Sequence, residues 1–150
     1  MIRPLEARDV EAWAAMRGRL WPHADAGDLL REAETFAARP QEAIIAAAFV
    51  AAEGANEPLG FIELSIRNFA DGCDSSPIPH IEGWYVEPSA QRAGIGRDLM
   101  RAAEAWARER GFTELASDTE VENLTSQDAH VACGFEETER LVKFRKPLAG

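Results

Sequence analysis

Apolar positions along the chain change their period several times, and each change marks a new element. Between Ala7 and Leu20, the residues Val10, Trp13, Met16 and Leu20 recur three or four apart, which predicts a helix with one buried face. A second helix is predicted from about Asp28 to Ala38, carrying Leu29, Ala33, Phe36 and Ala37, with Pro40 as its stop. The stretches "EAIIAAAFVAAEG" and "PLGFIELSIRN" then predict two strands around the turn "GANEP". In the second of them Ile62, Leu64 and Ile66 alternate with Phe61, Glu63 and Ser65, the period of two that a pleated strand imposes. After the loop "NFADGCDSSPIP" comes a strand, "HIEGWYVEP", and then a helix from Arg97 to Arg110. Leu99, Met100, Ala103, Trp106 and Ala107 share one face of that helix, Glu104 and Arg108 form a favourable i,i+4 pair, and Gly111 suits the position just past its end. A strand "TELASDT", a short helix near Thr125 to Ala132 and a last strand "ETERLVKFRK" complete the order. This order predicts one α/β domain over residues 1–150, with a mixed, mostly antiparallel central sheet flanked by helices.

Composition narrows the class. At 150 residues the chain is long enough for one hydrophobic core. Its apolar runs fall short of the roughly 18 residues of a membrane helix, so no membrane association is expected. The start "MIRPLEARDVEAW" lacks an export pattern, and Cys73 and Cys133 form neither metal spacing nor a disulfide framework. A reduced cytoplasmic protein without a metal is expected. The net charge of −10 argues against nucleic acid, which needs a basic stripe. Between Gly111 and Glu139 there are eight Asp or Glu and no Lys or Arg. Such a run is a solvated acidic surface or a site for a cationic ligand.

The stretch "VEPSAQRAGIGRDLM" holds the sharpest signal. Helix N-termini present unpaired N–H groups and partial positive charge, and glycines ahead of them let a phosphate approach the backbone. A tight strand-to-helix turn would use the same glycines. A Walker loop is excluded because Gly-Lys-Ser/Thr is missing, and a Rossmann fingerprint lacks its third glycine, with Leu99 in that place. The spacing Gln91-x-x-Gly94-x-Gly96, after a strand and before a helix, instead resembles the acyl-CoA pyrophosphate loop of the GNAT N-acetyltransferases. The order of elements over essentially the whole chain is similar to that family as well. So is "ACGFEETER", which stands where the family has a Gly-Phe turn before its last strand.

A narrower likeness follows. The segments "LWP", "GCDSSP", "EG" at 82–83, "ASDTE", "SQ" and "GFEETER" together resemble the aminoglycoside 6′-N-acetyltransferases. The resemblance implies acetyl-CoA as cosubstrate and an aminoglycoside or another small polycationic amine as acceptor. It implies that Trp84, Tyr85 and Val86 contact the acetyl-pantetheine arm. Arg92, Ala93, Gly94, Ile95, Gly96 and Arg97 would hold the pyrophosphate, and Asn123 would also touch the cosubstrate. Trp21, Phe69, Glu82, Asp118 and Glu139 would line the acceptor site, Phe69 standing where the subgroup has a tyrosine. A homodimer joined through the C-terminal strand is also implied, and "LVKFRK" alternates as an edge strand able to pair would.

Acetyl transfer to an amine needs a neutral nitrogen, a polarised carbonyl and a proton for the leaving thiolate. Glu82 and Asp118 are the candidate carboxylates, to attract the cation and accept its proton. His130, four residues before Gly134, stands where many relatives place a tyrosine that protonates the thiolate. A backbone N–H among Trp84–Val86 would stabilise the oxyanion. Each has a bland counterpart: Glu82 as a surface strand residue, Asp118 as a turn cap, His130 as a packing group. Trp13, Trp106 and Phe36 read as core, and the cysteines as non-catalytic. An acyl-CoA-binding sensor without turnover is the rival from another functional class.

Overall fold

The computed structural model describes residues 1–150 apart from Arg92. The strands are β1 (Ile2–Pro4), β2 (Ile45–Ala51), β3 (Gly60–Arg67), β4 (Ile78–Val86) and β5 (Ala116–Ser117). The α-helices are α1 (Val10–Leu20), α2 (Ala26–Ala38), α3 (Ile95–Glu109) and α4 (Leu124–Ala132). The strands lie in sequence order in one sheet, antiparallel from β1 to β4, with β5 parallel to β4. The expected mixed, mostly antiparallel sheet is therefore observed.

β3 explains the layering. Its alternating residues are buried on both sides, so the sheet is covered on each face. Ile62 and Leu64 pack with Ile81 against Leu99, Met100 and Ala103 of α3. Phe61 faces the other way, into a cluster with Trp13 and Met16 of α1 and Ala33 of α2. Local chemistry sets the helix ends. Asp9 accepts the Glu6 N–H at 2.8 Å ahead of α1, Asp25 accepts the Asp28 N–H at 2.9 Å to cap α2, and Asn123 accepts the Ser126 N–H at 3.0 Å to cap α4.

Three expectations are corrected. β1 was not foreseen, because three residues are too few to show a period. The strand expected over 113–119 pairs only at Ala116–Ser117. The last expected strand, 137–146, pairs with nothing among the described residues, and Val142 and Phe144 are 78% and 92% exposed. Among the described residues no helix is long and apolar enough to cross a membrane.

Candidate active site

Two features of β4 build the site. The first is a register shift: Glu63 pairs with Gly83 and Leu64 with Ile81, which leaves Glu82 as an extra residue in β4. Such a bulge re-aims a side chain. It brings Glu82 onto the face of Ser65 and Arg67, where the Ser65 hydroxyl donates to Oε2. Arg67 grips the same carboxylate in a fork, Nε to Oε2 at 2.9 Å and a terminal nitrogen to Oε1 at 2.8 Å. The second feature is an early parting of strands. β5 pairs with β4 only at His80 and Ile81, while β4 continues to Val86. From Glu82 to Val86 no strand among the described residues pairs with that side of β4. Asp118 stands just past β5, and its side chain is 67% exposed.

The glycine stretch opens α3 and meets β4 at Trp84. Gly94 is the N-cap of α3 with φ 78°, a conformation that favours glycine, and no side chain caps this terminus. The first intrahelical bond runs from the Asp98 N–H to the Gly94 carbonyl at 3.0 Å, so the amides of Ile95, Gly96 and Arg97 have no intrahelical acceptor. Gly96 lies inside the first turn, so the helix begins two residues earlier than its apolar pattern implied. Trp84 ties the strand to the helix, its indole N–H donating to the Gly96 carbonyl at 2.9 Å. Gln91 donates to the Val86 carbonyl at 3.2 Å and shapes the intervening turn. Ala93 and Arg97 are exposed beside these amides, and Arg92 lies outside the described residues.

Other expected residues fall into place unevenly. Trp21 ends α1, lies under the Arg17 guanidinium at 5.1 Å, and approaches Gly83 so closely that a Cβ there would be 3.0 Å from the indole. It therefore neighbours Glu82. Tyr85 points away from α3, against Phe61 on the side of the sheet that Trp21 covers, and its hydroxyl donates to Glu87. Val86 packs in the α3 cluster. Asn123 spends its side-chain oxygen on capping α4. Phe69 is 68% exposed in the loop after β3. Glu139 is exposed and follows Thr138, whose hydroxyl donates to the Asp71 carbonyl at 3.2 Å. The "GCDSSP" loop is pinned by Glu114, which accepts from the Ser75 N–H at 2.7 Å and from its hydroxyl at 2.5 Å.

His130 is held at both nitrogens. Nδ1 lies 2.7 Å from the Ser126 carbonyl and so carries the proton, and Nε2 lies 2.7 Å from the Ser117 hydroxyl. Its ring sits between the edges of Trp84 and Phe135, with centroids 5.2 Å from each. Burial pushes both cysteine thiols up, as suits non-nucleophilic groups. Among the described residues no three His, Cys, Asp or Glu side chains converge to hold a metal ion.

Sequence reasoning missed five participants: Ser65, Arg67, His80, Arg17 and Glu63. Burial pushes the Glu82 carboxyl up, but the His80 ring 3.3 Å away and the hydrogen bonds from Arg67 and Ser65 outweigh burial and hold it well below the usual carboxylate range. His80 lies beneath it, 3% exposed. Arg17 and Glu63 form a buried pair behind Trp21, with the guanidinium 2.9 and 3.0 Å from the two carboxylate oxygens and the Trp13 indole adding a third bond at 3.0 Å. A lone glutamate in an apolar strand was the available signal for that pair.

Comparison with known proteins fits this geometry. Residues 10–135 match the acetyltransferase (GNAT) family. The chain belongs to that family. An aminoglycoside N(6')-acetyltransferase type 1 of Klebsiella aerogenes is 47% identical over 152 residues, covering 99% of this chain and 97% of the relative. Among solved structures, AAC(6')-Iy in complex with the bisubstrate analogue CoA-S-monomethyl-acetylneamine superposes with a TM-score of 0.86 at 37% identity, covering 99% of this chain and 98% of that one. The apo aminoglycoside 6'-N-acetyltransferase AAC(6')-IG of Acinetobacter haemolyticus gives 0.85 at 31% identity, covering 99% of each. This GNAT chain thus matches such relatives from end to end.

Proposed function

We propose that this protein transfers the acetyl group of acetyl-CoA to the 6′-amine of aminoglycosides and so confers resistance to them. The observation that carries the reading is one of placement. Two carboxylates, Glu82 and Asp118, stand where β4 and β5 part, and two residues further along β4 Trp84 is tied to the N-terminus of α3, which no side chain caps. The free amides of Ile95–Arg97 suit a pyrophosphate, and the open side of β4 suits an extended pantetheine arm. Arg97 adds positive charge there, and Arg92 precedes the same glycines in the sequence of an otherwise acidic chain. Relatives that align over the full length carry the aminoglycoside N(6')-acetyltransferase name.

In this reading Asp118, Glu82 and Trp21 receive the polycation, with Phe69 and Glu139 at the rim. A backbone N–H of Trp84–Val86 stabilises the oxyanion. His130 serves the leaving thiolate only through the Ser117 hydroxyl, because its own N–H is committed to Ser126. The working compartment is the cytoplasm, where acyl-CoA is made and used. The functional unit is a homodimer joined through residues 137–146, whose apolar side chains the single chain leaves bare.

The test is thiol release from acetyl-CoA across aminoglycosides, polyamines and peptides, with NMR of the product. Release with drugs bearing a 6′-amine and acetyl found at 6′ are expected, with little release from a 6′-hydroxyl analogue that still binds. Acetyl at another position removes the 6′ assignment. Turnover confined to other amines makes the protein a polyamine acetyltransferase. Tight CoA binding without release from any amine makes it a sensor.

A further inference from the structure

We propose that His80 is the proton acceptor of this site, receiving through Glu82 the proton that a bound ammonium must lose before its nitrogen can attack. The inference rests on the amine-acetylating reading above and assigns a role to a residue that reading does not use. His80 sits in the seam of three strands, opposite Ser65 of β3 and Ala116 of β5. Its Nδ1 lies 3.3 Å from Glu82 Oε2, and its Nε2 lies 3.7 Å from Asp118 Oδ2. One ring therefore faces a carboxylate at each nitrogen.

That arrangement has a chemical preference. A neutral imidazole carries one N–H and turns a lone pair toward one of the two carboxylates. The ring with both nitrogens protonated complements both. Nδ1 is also buried with no hydrogen-bond partner in line among the described residues, a defect that a proton and a small rotation toward Oε2 would repair. Glu82 itself cannot keep a proton, because Arg67 and Ser65 already donate to both of its oxygens. Arg67 from β3 also faces Asp118 electrostatically, so the groups around the ring are Glu82, Asp118, Arg67 and the Ser65 hydroxyl.

The balance is simple. The ammonium gives one proton to Glu82, which passes it to His80 Nδ1. The freed amine forms the C–N bond as the thioester C–S bond breaks. Of the two remaining amine protons, one stays on the amide, and the other leaves to solvent, from which the thiolate is protonated. His80 returns its proton to solvent after product leaves.

The experiment compares His80→Gln with the wild type in kcat/KM for a 6′-amino drug such as kanamycin, from about pH 6.5 to 9. Glutamine can donate a hydrogen bond but cannot take the proton. The variant should be slower by about tenfold to a hundredfold at the acid end, and the gap should close as the amine arrives already neutral. The KM for acetyl-CoA should be unchanged. A ratio constant with pH, or within twofold throughout, overturns the inference while the wild type's thiol release leaves the acetyltransferase reading in place. A wild type that releases no thiol with any amine overturns both. Should His80→Gln fail to fold, the wild type decides by imidazole ¹⁵N NMR in complexes with CoA. Two N–H signals at His80 are expected with the 6′-amino drug and not with its 6′-hydroxyl analogue. Identical spectra in the two complexes overturn the inference.

Discussion

Glu63 is a charge placed where the sheet is driest, and Arg17 is the reason it can stay. Its carboxylate, 1% exposed, takes three hydrogen bonds from Arg17 and Trp13, while Arg17 reaches on to the Leu29 carbonyl and Glu32 of α2. The pair thus fastens α1 and α2 to β3 and backs the ring of Trp21. Removing one partner strands a buried charge, so Arg17→Met should lower unfolding stability by about 3–5 kcal/mol. Arg17→Met with Glu63→Leu should recover much of that loss in denaturant titrations, because an apolar pair needs no compensation. Failure of the double variant to recover would mean that the pair's value lies in its links to α2. Glu82 gives a prediction in pH. Its carboxyl is held below its ordinary value, so the folded protein binds that proton later than the unfolded chain does. The stabilisation is complete above roughly pH 4–5 and is lost as pH falls. Between about pH 6 and pH 3 the wild-type Tm should therefore drop more steeply than that of Glu82→Gln. Parallel curves would show that Arg67 and Ser65 confer no net stability on the ionised form.

At the scale of elements, the N-terminus of α3 separates what a ligand needs from what the fold needs. Gly94 is required by its left-handed φ, whereas Gly96 has helical surroundings and room for a methyl group, with the nearest atoms 3.7 Å away on Trp84. Alanine in place of a helical glycine should even add about 0.4–1 kcal/mol. Gly96→Ala should thus be at least as stable as the wild type, yet show a raised KM for acetyl-CoA if the added methyl, lying against Trp84 and Val86, narrows the approach to the amides of Ile95–Arg97. An unchanged KM in the stable variant would move the pyrophosphate elsewhere. This element was legible in the sequence because everything that defines it is local: two glycines, the preceding proline and the apolar stripe from Leu99 to Ala107. Glu82 and Asp118 were legible as residues, but their surroundings were not. Arg67 meets Glu82 across a strand register that includes a bulge, and His80 reaches Asp118 across a parallel crossover of 38 positions, neither of which leaves a period in the letters. Arg17 was hidden for a like reason, its partner lying 46 residues away. β1 was hidden by its length.

For the whole molecule, the open question is what covers residues 137–146. Leu141, Val142, Phe144 and Leu148 are all exposed in the single chain, and an apolar, alternating segment without a partner strand is unstable as an edge. Its near end is fixed: Thr138 passes so close to Gly72 that a Cβ there would lie 2.3 Å from it. The remainder is free to reach a second copy, whose β5 is an edge of the sheet beside the same site. Light scattering at micromolar concentration should therefore give twice the 16.5 kDa chain mass. Deletion of residues 141–150 should give monomer. Phe144→Ala is the finer probe, because a twofold assembly loses two rings at once. At about 1.5–3 kcal/mol for each buried phenylalanine, dissociation should strengthen by roughly two to four orders of magnitude. The dimer should then come apart on dilution while each chain keeps its helical signal. A wild type that is monomeric at those concentrations, or a Phe144→Ala dimer as tight as the wild type, would leave this tail with another partner and the acetyltransferase site within one chain.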